Sequence, residues 1–298
     1  MPSYAFFEPV IIFALLNVAM TLGLYVTAMS GQLSMATAAI AGVGGYGSGM
    51  LTVKFGVPFV PAVLLAAVLA CAVGTMLALL TARMRDFILK LTTLAFGEAL
   101  SVLAFNWDYI GGANSFTGLT LHTGIWTCLA GVAIAAFIAW RFDGSRLGFA
   151  ARAVRDDPLA AASMVRIRII TFALGGALVG MAGAMQAHYV LVVSPSELGF
   201  FVSLNYVIFL LFGGMYTLSG AVLGAILLTV LPEALRFANE YRMILYGLII
   251  VAVVLWRPEG LIRRTPTGVA RRLMGWTLVR PRPTQGAMAA EDALAPPG

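Results

Sequence analysis

Five stretches without a single Asp, Glu, Lys or Arg dominate the chain: 9–53, 55–82, 109–140, 169–196 and 198–232. A helix crosses the ~30 Å hydrocarbon layer with about 20 apolar residues, at about 1.5 Å of rise each. Every one of these stretches is long enough to cross. The first and the last are too long to cross only once, so each must fold back, with breaks expected at Ser30-Gly31 and from Gly213-Gly214 to Ser219-Gly220. Two further segments qualify: 87–107, which carries Lys90 and Glu98, and the short run 243–256, whose flanking Arg242 and Arg257 snorkel toward water. The expectation is an all-α polytopic integral membrane protein with about nine transmembrane segments (eight to ten), some broken at glycines.

Composition excludes the main alternatives. Of 298 residues, 60% are hydrophobic and 11% charged, against about half and about a quarter in soluble domains. Too little polar surface exists to coat a soluble globule. The net charge of +6 lies in a few short loops rather than along one basic face, which excludes a nucleic-acid-binding role. Cys71, Cys128, His122 and His188 lie too far apart for a familiar metal-ligand spacing. A phosphate-cradling loop needs Gly-Lys-Ser or Gly-Lys-Thr, but Lys54 follows Val53 and Lys90 follows Leu89. No ATP site of that type and no cofactor is expected, and the chain is read as a non-enzyme.

The arginines set an expected orientation. They cluster near 83–90, in the loop 141–168 and in the tail after 256, leaving only Lys54, Arg236 and Arg242 elsewhere. Placing the three clusters in the cytoplasm satisfies the positive-inside rule, with the N-terminus outside and the C-terminus inside. No Lys or Arg precedes Lys54, so no cleavable signal peptide with a basic start is expected. Residues 1–262 are read as the transmembrane domain and 263–298 as a basic, Pro-rich cytoplasmic tail near anionic membrane lipid.

Several residues stand out inside this frame. Gly31-Gln32-Leu33-Ser34 opens a glycine-dense segment that includes Gly45, and a second small-residue stretch contains Gly213 and Gly214. Interrupted apolar segments at comparable places in two halves point to a transport pathway. Tight helix packing explains each single glycine equally well. Glu98 is the one carboxylate well inside an apolar segment, so it must face a cavity or pair with a donor. In the loop 141–168, Asp157 can cap and Pro158 can open a short, alanine-rich helix reaching to about 165. So short a helix is marginal in water and makes most sense docked against another subunit.

At this loop the chain resembles the permease subunits of ABC importers, specifically the branched-chain amino acid permease family. The likeness covers about residues 20–262. It rests on Gly31-Gln32-Leu33-Ser34, Thr93-Leu94-Ala95-Phe96-Gly97-Glu98, Arg152-Ala153-Val154-Arg155-Asp156-Asp157 with Ala160-Ala161, and Ala182-Gly183-Ala184 with His188-Tyr189 and Ser194-Pro195. Gly213-Gly214, Gly220 with Gly224, Leu231-Pro232-Glu233 and Arg257-Pro258-Glu259-Gly260-Leu261 complete it. The resemblance implies a bacterial inner-membrane permease, paired with a homologous second permease chain, two cytoplasmic ABC ATPases and a periplasmic solute-binding protein. It implies branched-chain or related hydrophobic amino acids as cargo, with urea, amides or other small solutes as the alternative. It also makes 157–165 a coupling helix, with Arg152, Arg155, Asp156, Asp157, Pro158, Ala160, Ala161 and Met164 as the contact to the ATPase. Gly31, Gln32, Ser34, Gly45, Glu98, Asn114, Gly213 and Gly214 are the pathway candidates. The chain departs from the family pattern at Val165 and Ser115, where glycine is usual. A stand-alone secondary transporter or channel, with Glu98 carrying a proton, and a non-transporting scaffold stay open as other readings.

Overall fold

A computed structural model describes residues 3–84, 86–156, 164–236, 241–257 and 260–262, all within one compact unit. Its order is α1 (Ser3–Ala28), α2 (Thr37–Val53), α3 (Phe59–Thr81), α4 (Asp86–Asn106), α5 (Ile125–Asp143), α6 (Arg146–Asp156), α7 (Met164–Val190), α8 (Phe200–Gly213), α9 (Leu218–Ala234) and α10 (Arg242–Trp256). Among the described residues the only β feature is one isolated bridge, Phe116 to Val193. Five helices are long and apolar enough to cross a membrane: Phe7–Ala28 of α1, then α3, Phe87–Asn106 of α4, α5 and α7. The chain is a multi-pass membrane protein. The other apolar helices, α2, α8, α9 and α10, hold 17, 14, 17 and 15 residues, short of the ~20 that a full crossing takes. α8 and α9 are bent by 120° at their junction, so the long run 198–232 does fold back.

The two ends of the bundle can be told apart by their contacts. At one end, Tyr25 of α1 reaches Asp143 at the end of α5, Arg155 of α6 lies over the Tyr216 ring, and Arg168 donates to the Ala82 carbonyl. At the other, Lys54 donates to the Tyr109 carbonyl at 2.6 Å, and Phe116 pairs with Val193. Helices α1, α3, α5, α8 and α10 run toward the α6 end, and α2, α4, α7 and α9 run away from it. The helices thus alternate in direction along the chain, α6 apart. α2 and α8 each follow an interruption of the α-helix, at 29–36 and at 191–199. The Gly31–Ser34 interruption is thus matched by the one that contains Ser194-Pro195. Gly213 and Gly214 instead form the hairpin to α9, where Gly213 packs on the backbone of Gly220 and Gly224.

The core is centred on α1 and α7, each 72% buried over its span. The hydrophobic effect gives no reason for apolar helices to pair within lipid, so close backbone packing has to hold them. That is what α2 and α7 show: a side chain added at Gly44 would strike the Gly180 backbone, and one at Gly183 the Ala41 backbone. Outward faces of α3, α4 and α5 carry exposed Leu64, Val68, Leu91, Phe105, Leu129 and Phe137, as a lipid-contacting surface requires.

The far-end loop holds one strained residue. Ser115 has φ 64 and ψ 159, a region that is essentially restricted to glycine. Ser115→Gly is therefore expected to stabilise the protein by about 1 kcal/mol, raising the thermal midpoint in detergent by roughly 2–4 °C. A midpoint that falls would show that the serine side chain contributes more than the backbone loses.

Candidate functional site

The two breaks meet. The amide of Ala38, in the first turn of α2, donates to Ser203 Oγ of α8 at 3.0 Å, and the Met35 amide donates to Thr93 Oγ1 of α4 at 3.0 Å. The Phe200 amide, first in α8, donates to Glu98 Oε1 of α4 at 2.6 Å. Both broken helices therefore begin beside the middle of α4 and leave it in opposite directions. Their positive dipole ends converge there, and the Glu98 carboxylate answers that of α8.

The polypeptide leading into this junction is irregular but not lipid-exposed. Gly31 takes φ 79, which glycine tolerates and side chains rarely do, and the Arg155 stem packs on it. Gln32 and Ser34 beyond it are buried. Ser30 Oγ meets Thr171 Oγ1 at 2.8 Å and Gln32 Oε1 at 3.2 Å, and Ser34 Oγ accepts from the Ala36 amide. Non-helical backbone at membrane depth persists only where protein or a watery cavity supplies such partners. Gln32 Nε2 is buried with no hydrogen-bond partner.

Beside the α2 N-terminus lies a cavity of about 170 Å³, lined among others by Ala38, Gly42, Gly45, Gln186, Glu197 and Tyr206. It exceeds the ~30 Å³ share of one water and falls below the ~300 Å³ at which drug-sized pockets begin.

Glu98 does not line this cavity. It is exposed on the bundle's lateral face, as is Asn205 of α8, and its partner is the α8 amide. Polar side chains on a membrane helix require cover from protein or from a water-filled path. Asn114 is exposed in a short 3-10 turn (Gly112–Asn114) of the far-end loop, away from the junction. Gly45 faces Gly183 and Ala187 across the α2–α7 contact as well as the cavity. Gly213 and Gly214 are buried at the α6 end.

At that end Arg152 Nη1 pairs with Asp143 Oδ1 at 2.5 Å, its Nη2 donates to the Asp143 carbonyl at 3.0 Å, and its guanidinium lies over the Phe149 ring. Tyr25 donates to the same carboxylate, so α1, α5 and α6 are tied together. Arg155 pairs with Asp156 at 3.0 Å. Met164 begins α7. Asp157, Pro158, Ala160 and Ala161, and with them most of the expected helix 157–165, lie outside the described residues. So does the tail 263–298.

Sequence reasoning missed Glu197, Tyr206, Ser203 and Thr171. Glu197 had a visible signal: it is the lone charge separating two long apolar runs, beside Ser194-Pro195. His188 is fully buried, with Nδ1 at 3.3 Å from the Thr120 carbonyl and its ring edge-on to Phe59. Among the described residues no group of three or more His, Cys, Asp or Glu could hold a metal ion.

Comparison with known proteins gives this geometry a context. The chain is similar to the high-affinity branched-chain amino acid transport system permease protein LivM of Escherichia coli (strain K12), 27% identical over 279 residues. Its likeness to the LivM of Salmonella typhimurium (strain LT2) is of the same extent, 27% over 279 residues. In each case the match covers 80% of this chain and 66% of the relative, so the chain spans just under two thirds of the relatives' length. No solved structure matches. The sequence model of the family described as "Branched-chain amino acid transport system / permease component" matches residues 7–254, nearly all of the helical unit, and the chain belongs to that family.

Proposed function

We propose that this chain is one permease subunit of an ATP-driven importer that moves branched-chain or related hydrophobic amino acids across the bacterial inner membrane. The family match over residues 7–254 carries the reading. Its partners are a homologous second permease chain, two cytoplasmic ABC ATPases and a periplasmic solute-binding protein. ATP hydrolysis belongs to those ATPases, which agrees with the lack of a Gly-Lys-Ser or Gly-Lys-Thr loop.

The geometry supports this reading at two places. The face bearing Glu98 and Asn205 needs a protein partner or an aqueous path, and a second permease chain provides both. At the opposite extreme of the mechanism, the α6 end takes the push of the ATPases through the segment 157–165. On this reading the α6 end faces the cytoplasm, as is proposed for the C-terminal tail. Because α6 is tied to α1 and α5 through Asp143, movement there reaches the break at Gly31, against which Arg155 packs. Nucleotide and substrate drive such a switch only through different affinities for its two states.

The test is uptake in proteoliposomes holding both permeases, both ATPases and the binding protein. Labelled leucine should accumulate, with valine and isoleucine competing and excess urea without effect. Uptake of urea or an amide in place of leucine would overturn the substrate assignment and favour the alternative cargo.

A further inference from the structure

The cavity between α2, α7, the 3-10 turn Pro195–Leu198 and α8 has features that packing alone does not need. Gly42 is bare because a side chain there would strike Leu198, so the turn settles directly onto α2. That contact brings Glu197, the next residue along the turn, to the cavity wall. Tyr46 packs in a cluster with the cavity-lining Ala187, Val193 and Leu198. Tyr46 is only 6% exposed, and its buried hydroxyl has no hydrogen-bond partner. A carboxylate with no cation among the cavity-lining residues and an orphan hydroxyl nearby are both costly in this setting. Val192, Val193 and Val202 supply an apolar part of the wall, and Gln186 and Tyr206 also line it.

We infer that this cavity is a solute site inside the single subunit, built for a small molecule that joins an ammonium group to a branched apolar chain. Glu197 takes the ammonium. The valines receive the side chain, and the solute's carboxylate lies toward the first turn of α2, where Ala38 lines the cavity. The inference rests on the proposed amino-acid cargo and adds to it a specific place and a specificity residue. It also gives a physical reason why an amide or urea would be rejected: with no ammonium to offer, it would leave the half-buried carboxylate without a counter-charge.

Binding of labelled leucine to the purified full-length chain in nanodiscs tests it. The comparison compound is 4-methylpentanoate, which keeps the branched chain and carboxylate of leucine but lacks the ammonium. Wild type should bind leucine at least tenfold more tightly than 4-methylpentanoate. Glu197→Gln, nearly isosteric, should abolish that preference by weakening leucine tenfold or more while leaving 4-methylpentanoate unchanged. Glu197→Asp should retain part of it, which separates loss of charge from misfolding. Unaltered leucine affinity in Glu197→Gln would overturn the inference. So would absence of leucine binding to the chain when the complete complex still imports leucine, a result that leaves the importer reading standing. Import of urea instead of leucine by the complex would remove the reading itself.

Discussion

Gly183→Val should destabilise the protein strongly. A Cβ at position 183 would overlap the main chain of Ala41, and a backbone cannot swing aside as the end of a side chain can. The substitution must push α2 away from α7, opening a contact that backbone proximity alone maintains. Overpacking a well-filled core typically costs 1–3 kcal/mol, and overlap with main chain belongs at roughly 3 kcal/mol or above. Against a total stability of about 5–15 kcal/mol, that lowers the thermal midpoint by roughly 6–12 °C. Gly247→Val in α10 is the matched control, since nothing lies within 4 Å of a side chain built there. Size-exclusion profiles and melting of the two variants in detergent should differ sharply. Equal behaviour would mean that the α2–α7 glycines are not what sets the helix spacing.

Arg152→Ala should separate ATP hydrolysis from transport. The guanidinium has 11% of its side chain exposed and Asp143 has 25%, so the pair is neither fully buried nor a loose surface contact. Breaking a buried pair costs 3–5 kcal/mol, and partial exposure reduces this to roughly 1–3 kcal/mol. That is too little to unfold the protein and enough to free α6 from α1 and α5. In the reconstituted complex, ATPase activity should persist while leucine moved per ATP falls tenfold or more. Arg152→Lys should be intermediate, because an ammonium keeps the charge but not the fork that engages both the carboxylate and the carbonyl of Asp143. Unchanged coupling in Arg152→Ala would show that force does not enter through α6.

How far these features were readable in the sequence follows from how local their causes are. Crossing helices were legible because charge-free length is a property of the segment itself; α3, α5 and α7 emerge where the runs 55–82, 109–140 and 169–196 predicted them. The fold-backs at Ser30-Gly31 and Gly213-Gly214 were legible for the same reason, too many apolar residues for one span. The pairing of the breaks was not legible. Leu191–Gly199 contains Glu197 and Ser194-Pro195 and reads as an ordinary loop between helices. Helix α6 was missed because its buried side is made only of the small residues Gly148, Ala151 and Val154, while the larger Leu147 and Phe149 stay exposed. Glu98 signalled the need for a partner, but that partner, an amide 102 residues away, could come only from the fold. The cavity beside Glu197 draws on α1, α2, α7, the 3-10 turn and α8, and of its lining only Gly45 and the lone charge of Glu197 stood out in the sequence.

The account stands on this chain being half of a gate driven from outside itself, and the energy dependence of uptake tests that most directly. In proteoliposomes the chain with its sister permease should be silent toward leucine, whatever proton or sodium gradient is imposed. Addition of the two ATPases, loaded binding protein and ATP should switch accumulation on, and a non-hydrolysable nucleotide should not. Gradient-driven leucine accumulation by this chain without any ATPase would contradict the account.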